Sequence, residues 1–326
     1  MNFKRPSKTL IALGVPVIYA LTLTTIFGLH SWTDILSVMS ISFLFCLPAV
    51  IGAFTVYLSN EQNVASLPYR IFIPWIPLFS FVVITLFFQI EGWACWVMIL
   101  PFFMASASLG GLLGGYLKAR HNRRNHIHVF VFALLPFLLS PIENMIGTIP
   151  GTYRANTTID IAAPDSVIWR HVTRVSEIPE NEDKGWLTRS LGFPRPVRAE
   201  LNFEGPGASR EAIFTNGLIF HETVLKYAHL QKMVFSIKAN PYEIPSTTMD
   251  KHIVIGGAYF DVLTGTYELE KLGQNRYRLH LYSHFKLNTN FNFYASWWAR
   301  WIMQDIQNNI LQIVKRRAEK GAPLVN

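Results

Sequence analysis

The chain has 326 residues, half of them apolar and 15% charged, and a formal charge of +8. The charged share lies below the roughly 25% usual for soluble proteins, and the shortage is confined to the stretch before Pro150, where charges are sparse. Beyond it both signs are interspersed without a basic stripe, which argues against nucleic-acid binding. Cys46 and Cys95 both sit in apolar runs, so the remainder has no disulfide, thiol nucleophile or cysteine metal site.

Residues 1–150 therefore read as a transmembrane domain and 151–326 as a water-soluble one. Apolar runs cover 10–29, 35–58, 71–90 and 93–117, each near or above the ~20 residues a helix needs to cross the hydrocarbon core, and none holds Asp, Glu, Lys, Arg or His. A fifth run, 127–142, is shorter, carries Pro136 and Pro141 and runs into Glu143; it either spans or lies at the interface. Lys4, Arg5 and Lys8 precede the first span and Lys118, Arg120, Arg123 and Arg124 follow the fourth, which orients both ends of the four-span unit toward the cytoplasm. If the fifth run crosses, the soluble domain faces the periplasm or cell exterior, with a bacterial inner membrane as the expected site. Gly110, Gly111, Gly114 and Gly115 form two overlapping Gly-xxx-Gly pairs, open either to packing within the chain or to dimerisation. Uncharged spans of this kind suit an anchor better than an ion pathway.

After the Pro/Gly break at 149–152, Thr157–Ile161 reads as a strand and Ala163–Thr173 as a helix with Pro164 in its first turn. Ser176–Arg195 is irregular or short-helical. Period-two runs follow at 197–203, 209–214, 218–227, 231–238, 259–270 and 277–287, several joined by Gly- or Asn-bearing turns, which argues for an antiparallel meander. Phe293–Glu319 closes the chain as a long helix, with Trp298, Ile302, Ile306, Ile310 and Ile313 on one face. The expected fold is an all-α transmembrane bundle joined to an α+β helix-grip domain, a curved antiparallel sheet wrapped on its last helix.

The sequence Thr158-Ile-Asp-Ile-Ala-Ala-Pro-Asp-Ser-Val-Ile-Trp169 resembles the opening strand-and-helix signature of the START-like, or SRPBCC, superfamily, which includes polyketide cyclase/dehydrase and lipid-transport proteins. Gly207-x-x-Arg210, Phe214-x-x-Gly217-x-x-x-x-Glu222 and Gly265-x-Tyr267-x-Leu269 are similar to it as well, over about 156–319. The chain also looks like the membrane-tethered bacterial members of that superfamily. The resemblance implies an apolar cavity between sheet and terminal helix, commonly used for hydrophobic ligands.

The turn at 215–217 sets a register. A two-residue Asn-Gly turn places Glu211 opposite Glu222, a repulsive pair, whereas a three-residue loop places Arg210 opposite Glu222, Ala212 opposite Phe220 and Phe214 opposite Leu218. The second register makes Arg210 and Glu222 a rim ion pair or a polar anchor for a ligand headgroup. No catalytic residue is assigned; Glu222 is the one candidate for an acid or base. By alternation the inward surface gains Met233, Phe235, Ile237, Tyr267, Leu269, Leu281 and Phe285, and the facing helix contributes Tyr294, Trp298, Trp301 and Ile302. Phe291 and Trp297 fit an aromatic belt at the bilayer interface. His280 and His284 lie on the outward face, and Tyr242, Asp250 and His252 lie on a long loop at 240–257 that could act as a lid. No metal-ligand spacing, cofactor motif or nucleophile elbow stands out.

Three readings follow. The first is a membrane-anchored module binding a lipid, quinone or other apolar small molecule, with the bilayer as partner and no cofactor. The second is a cyclase/dehydrase-like enzyme using Glu222; the third is a structural or sensory domain filled by its own side chains. Binding is preferred over catalysis. Oligomeric state is left open by the sequence.

Overall fold

The computed structural model describes residues 8–28, 39–120, 131–239, 256–257 and 259–321. The chain divides into two compact units, Met1–Thr148 and Ile149–Asn326.

The first unit is helical: α1 (Lys8–Phe27), α2 (Ile41–Leu58), α3 (Glu61–Val64), α4 (Leu67–Phe72), α5 (Trp75–Phe87), α6 (Trp93–Ala119) and α7 (Leu135–Ile146). Among the described residues, four stretches are long and apolar enough to cross a membrane: Lys8–Phe27, Ile41–Leu58, Leu67–Phe87 and Trp93–Ala119. The third begins at Leu67 rather than Ile71, so Arg70 falls within its first turn, where its Nε donates to the Val64 carbonyl at 2.6 Å. The four glycines pack within the chain. A methyl group on Gly110 or Gly114 would strike the backbone of Ala49 or Ala53 in α2, and one on Gly111 or Gly115 would strike Arg70. Gly52 of α2 meets the Ala107 carbonyl in the same way, so the two helices touch backbone to backbone.

The fifth apolar helix, Val131–Ile146, lies antiparallel to α2. Phe132 packs on the cluster of Val50 and Phe54, and the Tyr19 hydroxyl donates to the Ala133 carbonyl at 2.8 Å. At the other end of the helix the Glu143 carboxylate accepts from the Ile41 and Ser42 amides at 2.7 and 3.0 Å and from Ser42 Oγ at 2.7 Å. From Phe54 to Ser42 is ~18 Å along α2, which the short helix covers. Glu143 satisfies amides that the first turn of α2 leaves open and meets the positive end of its dipole.

The second unit holds β1 (Pro150–Ile161), α8 (Asp165–Thr173), β2 (Arg174–Val175), α9 (Trp186–Ser190), β3 (Pro196–Leu201), β4 (Ser209–Phe214), β5 (Ile219–Ala228), β6 (Lys232–Ala239), β7 (Phe260–Gly273), β8 (Arg276–Asn288) and α10 (Asn292–Gly321). The eight strands among the described residues form one antiparallel sheet in the order β1-β8-β7-β6-β5-β4-β3-β2. Seven strands are a meander, and β1 closes on β8 from Pro150 opposite Asn288 to Ile161 opposite Tyr277. Bulges between Val224 and Lys226 and between Val262 and Thr264 bend the strands and curve the sheet around α10. This is the helix-grip architecture expected from the sequence.

Three local expectations are corrected. β1 begins at Pro150 instead of Thr157; its inward positions include Ala155 and Thr157, small or polar residues that give little period-two signal. Pro164 is the residue before the helix, with extended backbone, rather than part of its first turn. The sheet-facing side of α10 is also broader than the expected face, of which Trp298 and Ile313 are buried and Ile310 packs on the core. Ala295, Ala299 and Met303 pack on Ala155, Val262, Phe285 and Leu287, and Leu311, Val314 and Ala318 join the main core. Small residues at 295 and 299 let the helix approach β1 and β8.

Gly110→Val should force α2 and α6 apart and lower stability by about 1–3 kcal/mol, read as a depressed melting temperature of the full chain in detergent. Glu143→Ala should cost about 1–2 kcal/mol by the same measurement.

Candidate functional site

β4 and β5 are joined by Thr215–Gly217, a one-turn 3-10 segment in which Asn216 and Gly217 take left-handed backbone, φ 62° and 79°. Asn and Gly are the residues that accept this conformation at least cost. The Phe214 amide donates to the Leu218 carbonyl at 2.8 Å, so the loop has three residues, and Arg210 stands opposite Glu222 with Ala212 opposite Phe220. Glu211, on the other face, is opposite His221.

The Arg210 Nη1 donates to Glu222 Oε2 at 2.8 Å, with 4% and 6% of the two side chains exposed. This is a buried ion pair inside the sheet's concave face, not a rim contact. The guanidinium lies over the rings of Phe235 at 5.5 Å and Tyr267 at 5.8 Å, and these two rings stack with centroids 5.9 Å apart. Gly265 makes room for the stack, because a methyl group there would collide with the Phe235 ring.

Burial lifts the Glu222 carboxyl above its ordinary range while Arg210 pulls it back. At Arg210 burial works against the charge, but Glu222 and then Tyr267 outweigh it and hold the guanidinium charged. Burial raises the Tyr267 phenol as well. The carboxyl is thus the member of the pair able to take up a proton. Arg210 Nε has no hydrogen-bond partner among the described residues, though it is fully buried.

The expected site residues fall into four places. Arg210, Glu222, Phe235 and Tyr267 meet, with Met233 in the same packed cluster beside Trp169, Val224, Leu311 and Val314. Phe214 and Phe220 meet each other at 4.9 Å and pack with Ala212, Leu218 and Ile313. Phe285 lies apart, in the cluster of Tyr153, Val262 and Ala295. Tyr294, Trp298 and Trp301 belong to an aromatic group at the start of α10: Trp301 meets Trp298 at 5.3 Å, Trp297 at 5.4 Å and Trp186 at 5.7 Å. Trp301 is half-buried, between the buried Trp298 and the exposed Trp297 and Trp186. Trp298 is buried, and its Nε1 has no partner among the described residues. Tyr242, Asp250 and His252 lie outside the described residues. His280 and His284 pair locally, with Glu270 at 3.0 Å and Thr264 at 3.3 Å.

Trp186 escaped the sequence reading because its partner is far away in the chain and its own helix is short. Its placement depends on Asp305 of α10, which accepts from the Thr188 amide at 2.9 Å and hydroxyl at 2.8 Å, and on Asn309, which donates to Asp183 at 2.6 Å.

No protein-family model and no curated protein matches the chain. Among solved structures it is similar to norcoclaurine synthase from Thalictrum flavum, crystallised with dopamine and hydroxybenzaldehyde, at 10% identity over 55% of this chain and 91% of that one, TM-score 0.33. It is similar to the di-domain ARO/CYC protein BexL of the BE-7585A biosynthetic pathway at 15% identity over 52% and 50%, TM-score 0.33. A protein from Nitrosospira multiformis is similar at 14% identity over 51% and 96%, TM-score 0.30.

Glu222→Leu should leave an unpaired buried charge and cost about 3–5 kcal/mol, and the double change with Arg210→Met should cost less than the two single changes together. Amide exchange in β4 and β5 of the full chain measures both. A carboxyl raised on folding contributes stability that is complete below the ordinary Glu range, about pH 4, and fades as pH rises through its folded value. The difference between wild type and Glu222→Gln should therefore carry that pH dependence.

Proposed function

We propose that the chain is a membrane-anchored binding module whose second unit takes an apolar small molecule bearing a neutral oxygen acceptor. The observation that carries this reading is the buried Arg210 Nε–H left without a partner among the described residues. A buried donor of this kind costs free energy until an acceptor reaches it. Since Glu222 already cancels the guanidinium charge, a carbonyl or hydroxyl oxygen suits the position better than a carboxylate or phosphate.

The rest of such a molecule would sit between the concave sheet and the N-terminal half of α10. Ile306 lies two turns before Ile313, on the same face of the helix, and Ile313 packs on Phe214 and Ala212. Ile302 and Ile306 are nevertheless only half-buried, as are Phe220 and Ile237 on the concave strands. Apolar residues facing inward yet incompletely covered suit a pocket wall. The START-like signature at Thr158–Trp169 supports the same reading, as resemblance.

The four apolar stretches support membrane anchoring, and the fifth helix supports a side. Lys118 donates to the Tyr57 carbonyl at 2.8 Å, so one of the basic residues that favour the cytoplasm lies at the C-terminal end of α2. Glu143 sits at the opposite end of α2. On this reading the chain leaves the first unit at its outer end, and the second unit belongs to the periplasmic or extracellular side. A bacterial inner membrane is part of the same proposal.

Glu222's raised carboxyl is the one feature that favours an acid–base enzyme. The guanidinium fixed 2.8 Å from its Oε2 opposes that role by engaging the group already.

Organic extraction of the full chain purified in detergent should release a defined apolar, oxygen-bearing compound at near-stoichiometric yield by mass spectrometry. Ile306→Trp should abolish its recovery without lowering the melting temperature. The same bulk-lipid profile from both proteins would sink the proposal.

A further inference from the structure

The start of α10 carries an uncovered aromatic surface. Phe293 and Trp297 are 68% and 53% exposed, and Trp186 of α9 is 60% exposed. Trp301 joins the two tryptophans into one surface, 5.4 Å from Trp297 and 5.7 Å from Trp186. Large rings gathered at the surface of a polar unit leave in water the apolar area that a packed neighbour would otherwise cover. Arg189 and the exposed Arg300 follow Trp186 and Trp297 at a spacing of three, so each stands on the same helical face as its indole. Arg189 has Glu180 beside it, at 3.5 Å with both side chains mostly exposed.

This surface stands beside the residue through which the unit is tethered. Asn292, the first residue of α10, donates from its side chain to the Ile149 carbonyl and accepts from the Thr289 amide and hydroxyl at 3.1 and 2.7 Å. Pro150 is paired with Asn288 in the sheet. Ile149 is itself exposed, and the apolar helix before it ends at Ile146. Three residues, Gly147 to Ile149, extend at most ~11 Å. Within the second unit, Phe293 thus follows directly on the residue that holds Ile149, the point where the tether enters.

We propose that Phe293, Trp297 and Trp186, with Arg189 and Arg300, form an interfacial foot that enters the headgroup region of the bilayer. Indole rings prefer that region because they are apolar in body and polar at one edge, and the two guanidinium groups meet anionic headgroups there. The inference rests on the membrane-anchored part of the function proposed above, and it does not depend on any small-molecule ligand. The foot holds the first turns of α10 at the lipid surface, while Lys320, ~40 Å along the helix, stays in water.

Nitroxide labels test this in the full chain, in a Cys46→Ala, Cys95→Ala background reconstituted in nanodiscs containing anionic phospholipid. Labels go at Phe293→Cys and Trp297→Cys, with Leu109→Cys of α6, 62% exposed, as the lipid control and Lys320→Cys as the aqueous control. The expected result is a ratio of oxygen to nickel-complex accessibility at 293 and 297 several-fold above that at 320. A ratio indistinguishable from that at 320 overturns the foot while Leu109→Cys still reads lipid. Protection from both reagents at 293 and 297 also overturns it, since a protein then covers the surface. An aqueous reading at Leu109→Cys overturns the membrane anchoring and the foot together.

Discussion

Arg210 and Glu222 confront each other across β4 and β5 because Asn216 and Gly217 can both take left-handed backbone. Shortening or lengthening that turn by one residue would send every side chain of β5 to the opposite face of the sheet. Two charges buried among Phe235 and Tyr267 make such a slip costly, since either charge alone in that environment is worth several kcal/mol of destabilisation. The pair therefore works as a register lock. Once it is set, Val224 of β5 reaches the core with Met233 and Phe235 of β6, and the concave surface that receives α10 follows from it.

In the first unit the comparable constraint is close approach. Gly52, Gly110 and Gly114 bring α2 and α6 together at backbone distance, where a side chain of any size would separate them. Between helices this apolar, small residues and polar contacts are what permit such an approach. Glu143 at the first turn of α2 and Lys118 at its last carbonyls complement both ends of that helix's dipole. An acid and a base on other segments thereby clamp the most enclosed helix of the unit.

Periodicity reveals the spans, the meander and the last helix because each is a long run with one repeating contrast between apolar and polar positions. The turn at 215–217 was legible through electrostatics, since the alternative register stacks Glu211 on Glu222. What was illegible involved contacts between distant segments. Nothing near Ala295 and Ala299 says that small residues there face β1 and β8, since a helical wheel weighs Trp298 and Ile302 more heavily. Trp186 gives no local sign that it meets Trp301, and Glu143 none that it caps α2. Strand alternation was enough to bring Arg210, Phe235 and Tyr267 onto one surface, where the structure has them in contact.

β1 is the first strand of its unit and, among the described residues, pairs with β8 alone, along its full length. During synthesis it emerges before every other strand of the sheet and waits with both edges bare until β8 has left the ribosome. α10, which packs on β1 and β8 together, arrives later still. Without those two elements the sheet is a trough open on its concave side, and they are the ones that close it. Any apolar molecule enclosed at that stage would be trapped as the trough shuts, without needing a doorway in the finished protein.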